Sequence, residues 1–133
     1  MGPLDKYILR EDALSSNAQG LGLRFQSHWY RALPLSCMDF NLKVNGIPVD
    51  EEKVEVEING KRFPKQKMLE LKDEWLFILD QATVHIPMQN PPKKGDICSI
   101  EFKLDLYIPY ILIGPDQHPL LAGTLVTKNL LCQ

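Results

Sequence analysis

The run Cys98-Ser99-Ile100-Glu101-Phe102-Lys103-Leu104-Asp105-Leu106-Tyr107-Ile108 changes character at every step. Apolar side chains fall at 98, 100, 102, 104, 106 and 108, with polar or amphipathic ones between them. A pleated strand sends successive side chains to opposite faces, so this stretch has one core face and one wet face. It is long for a strand and is expected to cross most of a sheet.

The same period of two recurs upstream. Phe40, Leu42 and Val44 alternate with Asn41 and Lys43, and Asn45-Gly46 then offers a tight turn into Ile47-Pro48-Val49. Val54, Val56 and Ile58 alternate with Glu55 and Glu57 and run into Asn59-Gly60. Asn-Gly tolerates the positive φ angles that short hairpin turns require, so both read as hairpins. Further strands are expected at residues 7–10, 21–26, 75–79, 83–86 and 121–126. In 75–79 the core phase is assigned to Trp75, Phe77 and Leu79. Only residues 65–72 suit a short helix, with Pro64 at its start. Loops are expected at residues 15–20, 28–36 and 107–119. Short turns between strands, with no room for helical crossovers, predict an all-β antiparallel sandwich of jelly-roll type, one domain over residues 1–133.

Composition narrows the function classes. The chain has 133 residues, 44% hydrophobic and 24% charged, which is globular composition. A net charge of −2 shows no basic surplus for nucleic acid. Lys93-Lys94, between Pro91-Pro92 and Gly95, reads as a solvated turn. No apolar run approaches the roughly 20 residues that span a bilayer. The start of the chain, with Asp5, Lys6 and Arg10, lacks a signal-peptide core, so the expected compartment is the cytoplasm. Cys37, Cys98 and Cys132 are widely spaced. Cys37 and Cys98, within strand-like patterns, read as small buried hydrophobes, and the three do not read as a disulfide framework.

The motifs of self-contained catalysis are missing. His28, His85 and His118 are scattered, without the His-x-His spacing of a cupin-like metal site. No Gly-x-Ser-x-Gly elbow occurs, and Gly20-Leu21-Gly22 leads into a strand instead of the helix a phosphate cradle needs. Glu51, Glu52, Glu55 and Glu57 pattern as a solvated face, and His85 as a surface or hydrogen-bonded histidine. No catalytic residue and no metal ligand is assigned to this chain. Trp29, Tyr30 and Arg31 combine residue types common at interface hot spots. Pro34, Leu35, Tyr107, Pro109 and Tyr110 are expected to complete an apolar docking surface or an active-site rim.

The segments Tyr30-Arg31-Ala32-Leu33-Pro34-Leu35-Ser36, Val44-Asn45-Gly46-Ile47-Pro48-Val49, Val56-Glu57-Ile58-Asn59-Gly60-Lys61-Arg62-Phe63, Glu74-Trp75 and Ala82-Thr83-Val84 follow one another in a telling order. In that order and spacing the chain resembles the beta subunit of bacterial C-glycoside deglycosidases, from Lys6 to about Tyr110. The resemblance implies an all-β companion to a larger, sugar-isomerase-like barrel alpha subunit, in an αβ heterodimer or multiples of it. It implies that the alpha subunit holds the catalytic base and a divalent metal cation, manganese or magnesium. The implied reaction is carbon–carbon lyase cleavage of 3-oxo-C-glucosides of flavonoids or similar aromatics. Two other readings stay open: a free-standing carbohydrate- or flavonoid-binding sandwich with Trp29 and Tyr30 as stacking platform, and a cupin-like metalloenzyme.

Overall fold

The structure, a computed structural model, describes residues 8–27, 32–77 and 80–133; of residues 109–113 and 118–119 only the backbone is described. Its strands are β1 (Leu14–Asn17), β2 (Gly20–Phe25), β3 (Leu33–Pro34), β4 (Met38–Val44), β5 (Ile47–Pro48), β6 (Glu55–Ile58), β7 (Lys61–Pro64), β8 (Trp75–Leu76), β9 (Ala82–Pro87), β10 (Ile97–Ile113) and β11 (His118–Leu131). Every pairing is antiparallel. A five-stranded sheet runs β1-β2-β9-β6-β7, a four-stranded sheet runs β11-β10-β4-β5, and β3 and β8 form a two-stranded ribbon. The chain is an open all-β sandwich, as the alternation predicts.

Local chemistry explains the elements. Asn45 and Gly46 sit at φ 53° and 81°, and Asn59 and Gly60 at 54° and 78°, the doubly positive geometry of two-residue hairpins. These turns join β4 to β5 and β6 to β7. The β10 alternation puts Cys98, Ile100, Phe102, Leu104, Leu106 and Ile108 in the core. Phe102 meets Phe40 from β4 and Phe25 from the opposite sheet, with ring centroids 5.4 and 5.1 Å apart. That trio locks the two sheets face to face.

Several expectations are corrected. Residues 8–10 form no strand: Ile8 and Leu9 are both buried, and consecutive inward side chains are incompatible with a pleat on one sheet face. Most of the loop expected at 15–20 is hairpin, because its small polar residues suit an edge strand, β1, that buries little beyond Leu14. The loop expected at 107–119 shrinks to the turn between Ile113 and His118. Its prolines leave a different trace: the register slips between Ile108 and Leu112, beside Pro109, which has no N–H to pair. The helix expected at 65–72 is a 3-10 turn, Lys65–Glu70, entered from Pro64. A second 3-10 turn, Leu35–Cys37, takes Cys37 out of a strand and leaves it half-buried. Trp75 is not a core residue. Leu76 is the inward residue, against Leu33, which turns Trp75 and Phe77 outward at 43% and 56% exposure.

Candidate partner-binding face

The two large sheets present outer faces of different chemistry. On the five-stranded sheet, β6, β7 and β9 point Glu55, Glu57, Arg62 and His85 outward in neighbouring rows. Arg62 Nη2 lies 2.9 Å from Glu55 Oε1, and His85 Nε2 lies 2.8 Å from Glu57 Oε1. Arg24, on β2, pairs with Asp12. This face is self-satisfied, and the expectation of a hydrogen-bonded His85 on a solvated acidic face holds. The recess beside His85 has a volume of about 40 Å³. Small-molecule sites occupy roughly 300 Å³ or more, so a sugar does not fit there.

The outer face of the four-stranded sheet is built from odd-numbered positions: Asp39, Asn41 and Lys43 on β4; Ser99, Glu101, Lys103, Asp105 and Tyr107 on β10; Leu121, Gly123 and Leu125 on β11. Lys43 and Glu101 make a loose pair at 3.9 Å. A groove of about 500 Å³ runs beside Asn41, Lys43, Glu101, Lys103 and Leu125. Leu121 and Leu125 are 53% and 60% exposed, and Tyr107, the cross-strand neighbour of Leu121, is 36% exposed. Ile97 and Leu131, a further cross-strand pair on this face, are also exposed.

Two buried charges lie at this sheet, and only one is paired. Lys65 enters beneath the start of β4, is 8% exposed, and places Nζ 3.1 Å from both Asp39 Oδ1 and Glu51 Oε1. The same ammonium stands 4.9 Å from the Phe40 ring centroid, a favourable cation–π distance. Asp105, directly across from Asp39 on β10, is equally buried, yet its Oδ1 has no hydrogen-bond partner. It fits because its other neighbour is Gly123: a Cβ there would stand 2.7 Å from Asp105 Oδ1. Nothing in the local sequence separates Lys65 or Asp105 from their solvated neighbours; both depend on contacts far along the chain.

At the tail, Cys98 and Cys132 bring their sulfurs to 3.9 Å as free thiols. Burial, then the neighbouring Cys98 and the charge of Asp96, raise the Cys132 thiol from 9.0 to about 11. Cys132 therefore packs as a protonated apolar group. Among the described residues no group of three His, Cys, Asp or Glu side chains could hold a metal ion. No helix among them is long and apolar enough to cross a membrane.

The predicted interface residues are divided by the structure. Trp29, Tyr30 and Arg31 lie outside the described residues, as does His28. Of Pro109 and Tyr110 only the strand backbone is described. Pro34 and Leu35 are buried, where β3 and the following 3-10 turn pack onto β8 and Glu74. Tyr107 alone of the set presents a described, partly exposed side chain, and it belongs to the leucine-bearing face. The exposed leucines of β11 went unassigned at the sequence level, although their alternation with Ala122, Thr124 and Val126 was there to be read.

Comparison with known proteins puts the chain among the beta subunits of sugar-removing enzymes. Residues 4–110 match the family described as C-glycoside deglycosidase beta subunit, and the chain belongs to that family. It is 34% identical over 109 residues to a "3'-dehydrocarminate deglycosidase beta subunit" of a Microbacterium species, covering 80% of each chain. It is 28% identical over 115 residues to a "C-glycoside deglycosidase beta subunit" of Arthrobacter globiformis, covering 84% of this chain and 85% of the relative. A protein with the same description in Microbacterium trichothecenolyticum is 29% identical, with 83% of each chain covered. The resemblance read from the sequence is thereby established. The family match ends before β11, so Asp105 and Tyr107 fall within it, and Leu121, Gly123 and Leu125 beyond it.

Proposed function

We propose that this chain is the small, non-catalytic subunit of a heteromeric carbon–carbon lyase. The lyase cleaves the C-glycosidic bond of 3-oxo-C-glucosides of flavonoids or similar aromatics in the cytoplasm. The observation that carries the reading is the family match over residues 4–110. A C-glycoside has no glycosidic oxygen to protonate, so the two-carboxylate route of ordinary glycosidases is closed to it. A ketone beside the sugar C–H acidifies that proton, and a base can remove it as the aromatic carbon departs. The base, and a divalent cation of manganese or magnesium to stabilise the developing enolate, belong to a sugar-isomerase-like barrel alpha subunit. This chain completes and stabilises that subunit as one unit of an αβ assembly.

Trp29, Tyr30 and Arg31, with Tyr107, Pro109 and Tyr110, form the contact region or rim in this proposal. Pro34 and Leu35, being buried, support it from beneath. The test is co-expression with a sugar-isomerase-like barrel alpha subunit, then turnover of an oxidised C-glucoside by each subunit alone and by both. Only the pair is expected to be active. Full turnover by this chain alone would overturn the proposal, and direct sugar binding by a monomer indifferent to the barrel would favour a free-standing binding module. Arg31→Ala is expected to weaken assembly or turnover; unchanged values for both remove Arg31 from the contact region.

A further inference from the structure

The geometry points to the outer face of the β4-β10-β11 sheet as the docking surface for the alpha subunit, with Asp105 as the acceptor for a basic side chain of that partner. The inference rests on the proposed subunit role and adds a place and a chemistry to it.

Asp105 is the anomaly that starts the argument. It lies on the outward row of β10, where Glu101 is half exposed, yet it is 8% exposed itself. One carboxylate oxygen is wholly buried and receives no hydrogen bond. The neighbouring acid, Asp39, does not help: it repels Asp105, and its own charge is met by Lys65. Burying a carboxylate without donors is costly, and native structures pair nearly all such atoms. Gly123 makes the room that the carboxylate occupies, since any side chain there would drive into Oδ1. A prepared acceptor with no donor is half of an interaction.

The surroundings say what supplies the other half. Tyr107 and Leu121 lie on the row to one side of Asp105, and Leu125 on the row to the other. All three are exposed, and Leu125 also lines a groove of about 500 Å³. Exposed apolar side chains beside a desolvated polar centre, here with Lys103 across from Leu125 and Asp39 across from Asp105, are the anatomy of an interface hot spot. Charge complementarity requires the incoming centre to be cationic and rich in donors, and a guanidinium, always charged and carrying five N–H donors, fits best. β11 pairs only with β10 among the described residues, so a large partner can also approach from its edge.

The test uses Asp105→Asn and Gly123→Ala in the full chain, titrated against the co-expressed barrel protein, with the melting temperature of each free variant measured alongside. Asp105→Asn is expected to weaken assembly by about 30-fold or more, the scale of losing one desolvated charge pair. The free variant should melt no lower than wild type, because an unsatisfied charge has been removed. Gly123→Ala, which forces the carboxylate from its seat, is expected to weaken assembly in the same direction. Wild-type affinity in Asp105→Asn overturns the docking assignment while an active wild-type pair keeps the subunit reading intact. Loss of stability and assembly in parallel also overturns it, since that marks a structural acid. A wild-type homodimer that Asp105→Asn dissolves would assign the face to a second copy instead. If the wild-type chain binds no barrel protein, the subunit reading fails first and this one with it.

Discussion

The outer faces of the two sheets are made of the same alternating strands and end in opposite conditions. On the five-stranded sheet every outward ionisable side chain described on β6, β7 and β9 has an ionic or hydrogen-bonding partner within reach, as in Glu55–Arg62 and Glu57–His85. On the four-stranded sheet, exposed Leu121, Leu125 and Tyr107 flank a carboxylate with no donor. The first face is finished in water. The second is finished only by something else. Folding energetics do not demand the difference, because both sheets already share one core through Phe25, Phe40 and Phe102. The chain belongs to a family of beta subunits, and the proposed docking of the alpha subunit would complete this face.

Replacing Leu121 and Leu125 together with lysine should abolish assembly, a loss of about 100-fold or more, because two desolvated apolar contacts become buried ammonium groups. Both positions are exposed in the free chain, so its urea midpoint should shift by no more than the equivalent of about 0.5 kcal/mol. A large stability loss instead would show that these leucines serve the fold.

Lys65→Met is the next largest. It strands Asp39 and Glu51 beside each other, and a loss of about 1–3 kcal/mol in urea unfolding is expected, moderated because both carboxylates are half exposed. An unchanged midpoint would mean that solvent screens the trio fully.

The pH profile sharpens the picture of the tail. The raised Cys132 thiol keeps its proton in the folded chain after the unfolded chain has lost it. Its contribution to stability is therefore whole below about pH 9 and falls as pH rises through about 11. Cys132→Ala should flatten that alkaline slope in a pH series of melting curves; a slope equal to wild type would assign the effect to other groups.

Smallest of all is Glu57→Gln on the closed face. The Glu57–His85 pair is substantially exposed, so stability should change by less than about 0.5 kcal/mol and assembly not at all. A marked loss of assembly here would erase the distinction between the faces.

Much of the fold was legible because its signals are local. The alternation of 98–108 defines β10, and two Asn-Gly turns set two hairpins, each by chemistry contained within a few residues. What was misread depends on pairing that no single segment announces. Trp75 and Leu76 are both apolar, and only the contact of Leu76 with Leu33 fixes which faces inward. Ser15 and Ser16 look like loop residues until β2 pairs with them. The candidate face was legible only in part. Tyr107 was picked out as an interface residue, but the burial of Asp105 is created by Gly123 across the hairpin, and a glycine in an alternating run announces no such role. Lys65 likewise reads as one more surface lysine until Asp39 and Glu51 converge on it.

The difference between the faces can be measured directly by maleimide labelling of two variants, Leu125→Cys and Glu57→Cys, with and without the alpha subunit. In the assembly, Leu125→Cys should be shielded and Glu57→Cys should react as fast as in the free chain. Rapid labelling at 125 together with protection at 57 would reverse the assignment of the docking face.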